Sequence, residues 1–240
     1  MFKSLLFGIL FCGLFFATVP SWIQPGVTVT YDGYAAEVNA NGDYENAVQT
    51  VVVMTVQSVS GNTVSGNTRI SIPSVPSFVK NYPWTCTDGT ICDWRFWVDP
   101  TDPVGSIKGP NGETLSIVGT GPYSYGSYQT NSATMLLYQN QQTKAEYHIT
   151  ADSRTGLIIA YAEKYPNQEI YLYVKSVNVD LSNYQPPQQT QTQAQQSGTQ
   201  GFNPLQDPAN DPLRLPCASA FILSALFVFS IFFFRRISYS

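Results

Sequence analysis

Lys144-AEYHITADSRTGLIIAYAEKYPNQEIYLYVKSVNVDL-Ser182 is the stretch that decides the fold. Tyr147 and Ile149 alternate with Glu146 and His148, Asp152 to Gly156 carries turn residues, Leu157 to Glu163 returns, and Pro166-Asn167 turns again. Alternation at period two in text rich in Tyr, Ile and Val marks strands, so this segment predicts three consecutive strands of a meander. Ile170, Leu172 and Val174 are apolar at even positions, whereas Val177, Val179 and Leu181 are apolar at odd ones. A slip of one residue exchanges the two faces of a strand, so a β-bulge or bend is expected near Lys175 and Ser176.

Working outward, the same alternation recurs toward the N-terminus. Val27, Val29 and Tyr31 alternate with Thr28 and Thr30; Val48, Val52, Met54 and Val56 alternate with Gln49, Thr55 and Gln57. Ile70 and Ile72, Arg95 to Val98, Thr114 to Val118 and Thr134 to Tyr138 predict further strands. Ser60-Gly61-Asn62 and Gly109-Pro110-Asn111-Gly112 supply residues that accept the positive φ of tight turns, so neighbouring strands should be antiparallel. No segment from Trp22 to Tyr184 shows a helical period with caps. The expected fold is all-β with nine or ten strands: an antiparallel meander forming a curved sheet or an up-and-down barrel, with a two-sheet β-sandwich as the alternative.

Each end of the chain is apolar. Lys3 precedes an unbroken apolar run from Leu5 to Phe16, followed by Ala17, Thr18 and Pro20, the layout of a secretory signal. No small-x-small cleavage site follows, so both cleavage and retention as an anchor are open. Cys217 to Phe234 is eighteen residues without a charge and stops at Arg235-Arg236, which predicts a transmembrane helix with its C-terminal side in the cytoplasm. Between domain and span, residues from Gln185 onward turn to Pro, Gln, Thr, Ser and Gly, a composition that buries too little to fold. The expected organisation is a signal segment at 1–21, an extracytoplasmic all-β domain at 22–184, a stalk at 185–215, a transmembrane helix at 216–235 and a cytoplasmic tail at 236–240.

Nine of the twelve Lys and Arg fall in the exported region against all sixteen Asp and Glu, a net charge of −7. Such a surface argues against nucleic acid as a partner. Only 12% of the chain is charged, so its outer face is built from hydroxyl and amide groups.

Cys86 and Cys92 are the only cysteines outside the two apolar ends. Asp88-Gly89 between them is a turn pair that brings the thiols within reach, and an oxidising compartment permits a local disulfide. The spacing differs from the Cys-x-x-Cys of redox sites, and too few further ligands are present for zinc. His148, the only histidine, shares a strand face with Lys144, Glu146 and Thr150 and is expected to point at solvent. Asp93, Asp99 and Asp102 could offer oxygens to calcium, but Pro100 and Pro103 favour plain turns and no EF-hand pattern is present. No metal site, cofactor or catalytic set is therefore expected, and no P-loop, dinucleotide-binding, HExxH or GxSxG motif occurs.

Aromatic residues are dense from Phe78 to Val98, where Trp84, Trp94 and Trp97 stand close together. They are expected either to plug the open end of the sheet or, pinned by the disulfide, to form a recognition surface. Tyr123 and Tyr125, in the Gly- and Ser-rich stretch from Gly121 to Tyr128, are candidates for a second recognition loop.

The signal segment, the Tyr- and Thr-rich meander with its Asp152-Ser-Arg-Thr-Gly156 turn, the Gln/Thr stalk and the terminal span together resemble uncharacterised archaeal membrane-anchored cell-surface β proteins. The resemblance covers the whole chain in style and one turn in detail. It implies extracytoplasmic anchoring and carries over no catalytic residue.

Three functions are compatible with these features: a membrane-anchored structural or protein-interaction module without catalytic activity, a binding protein for a small apolar or glycan ligand held in the β domain, and a hydrolase using carboxylates alone. The first is the leading expectation, with the membrane, another surface protein or a glycan as partners. An interior filled by the protein's own aromatics favours it, whereas an unfilled apolar cavity favours the second.

Overall fold

A computed structural model describes residues 19–90, 92, 95–109, 112–125, 128–141 and 144–185. Most of the predicted signal segment, all but the first residue of the stalk, the predicted span and the tail lie outside them. Among the described residues no helix is long and apolar enough to cross a membrane.

The alternating residues form strands because one set of side chains is buried and the other is not. In β1 (Thr28–Val38) Val29 and Tyr31 are buried beside half-exposed Thr28 and Thr30; in β2 (Tyr44–Ser60) Val52, Met54 and Val56 alternate with Val51, Val53 and Thr55. β3 (Thr63–Ile72) and β4 (Val75–Thr87) continue the walk by antiparallel pairing. β5 (Ser116–Tyr125), β6 (Tyr128–Gln139), β7 (Glu146–Asp152), β8 (Ile158–Tyr165) and β9 (Gln168–Val177) make a second run of hairpins. The three-strand meander expected from Lys144 to Ser182 is β7 to β9. The phase slip near Lys175 is real: Thr30 faces Ser176 while Tyr31 faces Val174, so Lys175 is the extra residue of a bulge.

All nine strands belong to one sheet in the order β4-β3-β2-β1-β9-β8-β7-β6-β5. β1 pairs with β9, so each half of the chain is a meander and the two meanders meet in the middle. The sheet does not close, since β4 and β5 are its two edges, which corrects the barrel alternative; one continuous sheet likewise replaces the two-sheet sandwich.

This order forces the chain to travel from one edge to the other between Asp88 and Leu115, and that connection covers the sheet. Phe96 and Trp97 join the larger apolar cluster, with Val29, Val52, Met54 and Leu172 of the strands. Val98, Ile107 and Leu115 join a second cluster with Leu136, Ile149 and Ile158. The strand expected at Arg95–Val98 is therefore absent as a ladder. Only Trp97 bridges to Leu157, with the Val98 N–H donating to the Gly156 carbonyl (2.8 Å) and the Ile158 N–H to that of Phe96 (2.9 Å). Arg95 to Asp99 are buried without a break, whereas a strand on a half-covered sheet would send alternate side chains to water.

The connection also holds a single helical turn, α1 (Pro103–Ser106), opened by Pro103 and capped by the Asp102 carboxylate, which accepts from the Gly105 N–H at 2.9 Å. Four residues are too few to produce the periodic pattern by which sequence reveals a helix.

Candidate functional site

The aromatic plug is seated by two glycines. Gly66 of β3 lies opposite Trp84 of β4, and a Cβ there would stand 2.4 Å from Cζ2 of the Trp84 ring and 2.3 Å from the Thr55 carbonyl oxygen. The indole occupies the space that a side chain would fill. Gly156 has φ +73°, and its Cβ would meet the Val98 carbonyl oxygen at 2.1 Å, so a glycine there both closes the Asp152 turn and lets the crossing segment approach. The Asp152 carboxylate fixes that turn, with Oδ1 accepting from the N–H groups of Arg154 (3.0 Å) and Thr155 (2.7 Å) and from the Thr155 hydroxyl (2.9 Å).

Phe96 is the centre of the plug. Its ring meets Trp97 at 5.1 Å and Trp84 at 6.1 Å, both edge to face, and Trp22 at 6.0 Å. The Trp22 indole N–H donates to the Thr155 carbonyl at 2.7 Å, tying the first residues of the domain to the turn before β8. Trp97 is completely buried and Trp84 is 7% exposed, so the structure places both in the core and leaves them little area for a partner. Trp94 lies outside the described residues.

A buried ion pair lies against this plug, and the sequence reading did not find it. Arg95 donates to the Asp88 carboxylate, both side chains being almost fully buried, and the guanidinium carbon stands 4.7 Å from the centre of the Trp97 ring. Burial lowers the Arg95 pKa to about 10 against the opposing pull of Asp88, and burial likewise raises that of Asp88 against the pull of Arg95. Both shifts report charges held away from water and stabilised chiefly by one another. Their only signal in the sequence is an Asp and an Arg seven residues apart inside the aromatic stretch.

The disulfide expected between Cys86 and Cys92 fits the structure, with Cα atoms 5.3 Å apart and the Cys86 side chain in the core. Gly89 at φ +73° and the Thr90 N–H donating to the Thr87 carbonyl (3.1 Å) make the turn between them. The bond anchors the start of the crossing segment to Cys86, which pairs with Val64 one residue before the end of β4. Mass spectrometry of a non-reduced digest is expected to show the two linked peptides. Because the loop is short, replacing both cysteines by Ser should lower stability by only about 2 kcal/mol.

Tyr123 and Tyr125 are not in a loop. They end β5, one arm of a hairpin with β6 that runs on to the Tyr125–Tyr128 pair. Gly121 and Tyr123 to Tyr125, part of the stretch expected as a loop, belong to a paired ladder. Tyr125 is stacked at 3.8 Å on Tyr173 of β9, which lies 6.2 Å from Tyr171 in nearly parallel orientation. Beside this stack, Glu169 accepts from the Tyr44 hydroxyl (2.8 Å) and pairs with Lys164 (3.0 Å), whose ammonium is 5.5 Å from the Tyr171 ring. Burial, reinforced by Glu169, pushes the Tyr44 hydroxyl up to about 12.

His148 is half-buried on the face expected for it, with Nε2 3.0 Å from Oε2 of Glu146, and this contact is the main cause that lowers the Glu146 pKa. Asp99 and Asp102 serve turns: Asp99 Oδ1 accepts from the Thr101 N–H and hydroxyl, and Asp102 caps α1. Asp93 lies outside the described residues. Among the described residues no three His, Cys, Asp or Glu side chains gather as a metal-binding group.

The fold and its plug thus define a class, an open antiparallel sheet covered by its own aromatic crossing segment. No known protein family matches the chain, and no curated protein is similar to it in sequence.

Proposed function

We propose that this protein is a membrane-anchored extracytoplasmic structural or protein-interaction module that acts without catalysis. The observation that supports this reading is the filling of the covered sheet by Trp22, Trp84, Phe96 and Trp97 of the chain itself. A domain that carries an apolar ligand keeps a concave space for it, and here packed indole and phenyl rings occupy the ground between crossing segment and strands. The anchor is the uncharged stretch Cys217 to Phe234, and its orientation follows from Arg235-Arg236 behind it and Lys3 at the other end.

Protease added to intact cells is expected to remove the β domain before Leu215 and leave a small membrane-embedded fragment. Protection of the β domain in intact cells, with digestion only after lysis, overturns the proposal.

A further inference from the structure

The chain leaves the sheet at Val177 but stays against the domain. The Asn178 side chain ties it to the start of β1, with Oδ1 accepting from the Thr28 N–H (2.8 Å) and Nδ2 donating to the Gly26 carbonyl (2.9 Å). Beyond it Val179, Leu181 and Tyr184 pack against the larger apolar cluster. They reach it because the bulge at Lys175 exchanges the faces of the strand: Leu172 and Val174 before it, and Val177, Val179 and Leu181 after it, meet the same cluster.

From Asn178 to Tyr184 no residue belongs to a strand. Besides its apolar contacts, the segment is held by a turn in which the Tyr184 N–H donates to the Leu181 carbonyl (3.2 Å), and by Arg154 of the Asp152 turn. Nη1 of Arg154 donates to the Ser182 carbonyl and, at 3.2 Å, to that of Tyr184. Two features make this fastening light. Arg154 is exposed, so its hydrogen bonds compete with water. The Tyr184 hydroxyl is buried with no hydrogen-bond partner among the described residues, a cost that exposure relieves. A segment fastened outside the ladder opens at a smaller free energy than the sheet itself.

Leu181 and Tyr184 are residues of the kind after which a chymotrypsin-type endoprotease cuts. Such an enzyme seats the side chain before the scissile bond in an apolar pocket and the scissile carbonyl oxygen in an oxyanion hole. Both are withheld here. The two side chains lie against the core cluster, the Leu181 carbonyl accepts from the Tyr184 N–H, and the Tyr184 carbonyl accepts from Arg154.

We propose that Asn178 to Tyr184 is a strap, clasped by Arg154, that masks a cleavage site: when the clasp opens, an endoprotease specific for large apolar residues cuts the Leu181–Ser182 or Tyr184–Gln185 bond and frees the β domain from its stalk. Water adds across the peptide bond, leaving a carboxylate on the domain and an amine on the stalk. This rests on the anchored-module reading above, for which it names the point of release.

The test treats the full chain in detergent micelles with chymotrypsin and follows fragment masses with time. In the wild type the cut after Phe202, in the stretch whose composition buries too little to fold, is expected first, and the cuts after Leu181 and Tyr184 are expected to be slow. Cleavage of a transiently open segment tracks its open population, so Arg154→Gln should speed the Leu181 and Tyr184 cuts at least about fivefold relative to the Phe202 cut. Cuts inside the sheet, such as after Tyr161 of β8, should stay as slow as in the wild type, which separates opening of the strap from unfolding of the domain. Equal rates at Leu181 and Tyr184 in the two proteins, a parallel rise at Tyr161, or a wild type cut after Leu181 as fast as after Phe202 overturns the strap. None of these bears on membrane topology, and the anchored-module reading falls separately if external protease spares the β domain of intact cells.

Discussion

Arg95→Met is expected to lower the stability of the domain by about 3–5 kcal/mol, because it leaves the Asp88 carboxylate buried without the charge that stabilises it. The sign of its pH dependence follows from the same contact. Burial already raises the Asp88 pKa above its ordinary value, and Arg95 is the main influence pulling it down. Without Arg95 its folded-state pKa rises further. A carboxyl whose folded pKa exceeds its unfolded value loses stability as pH rises through the folded value, so the deficit of the variant against wild type should be larger near pH 7 than near pH 4. Denaturant unfolding of the full chain in micelles at the two pH values measures this. Removing both partners, as in Asp88→Leu with Arg95→Met, should restore most of the loss, since well-packed apolar groups replace a buried pair at little net cost. A single variant as stable as wild type, or a double variant no better than the single, would show that the pair is not the buried unit described.

Trp97→Ala should cost a similar 3–5 kcal/mol, the range for emptying a large aromatic site from a close-packed core. Trp97 is fully buried, meets Phe96 and Trp84, and faces the Arg95 guanidinium. Trp97→Phe retains ring contact with Phe96 and should recover a large part of the loss. Thermal melts followed by circular dichroism distinguish the two readings of this segment. A core plug predicts lowered melting for Trp97→Ala and for Trp84→Ala, whereas near-wild-type melting of both would return these residues to a recognition role.

The strands and hairpin turns were legible because they are local. Val29, Tyr31, Val52 and Met54 announce a buried face by their spacing, and the Asp152 and Pro166 turns announce reversals by residue type. The bulge at Lys175 was legible for the same reason, since a phase slip is written in consecutive residues. Arg95 to Val98 misled, because Phe96, Trp97 and Val98 look like the interior of a strand while their burial comes from lying across a sheet. Gly121 to Tyr125 misled in the opposite direction: glycine and serine suggested a loop, but pairing with β6 and stacking on Tyr173 hold it as a strand.

Sequence by itself determined the all-β class, the antiparallel hairpins, the expectation of a disulfide between Cys86 and Cys92 and the apolar ends, because periodicity, turn chemistry and composition act between residues near one another in the chain. Only the tertiary structure decided that β1 pairs with β9, that the sheet stays open at β4 and β5, and that Asp88 to Leu115 crosses it with a buried Arg95–Asp88 pair beneath Trp97. The physical reason is range. Strand order, edge identity and the burial of the Arg95–Asp88 pair under the crossing segment depend on contacts between segments many tens of residues apart, and no local pattern encodes which distant surface a strand or a crossing segment will meet.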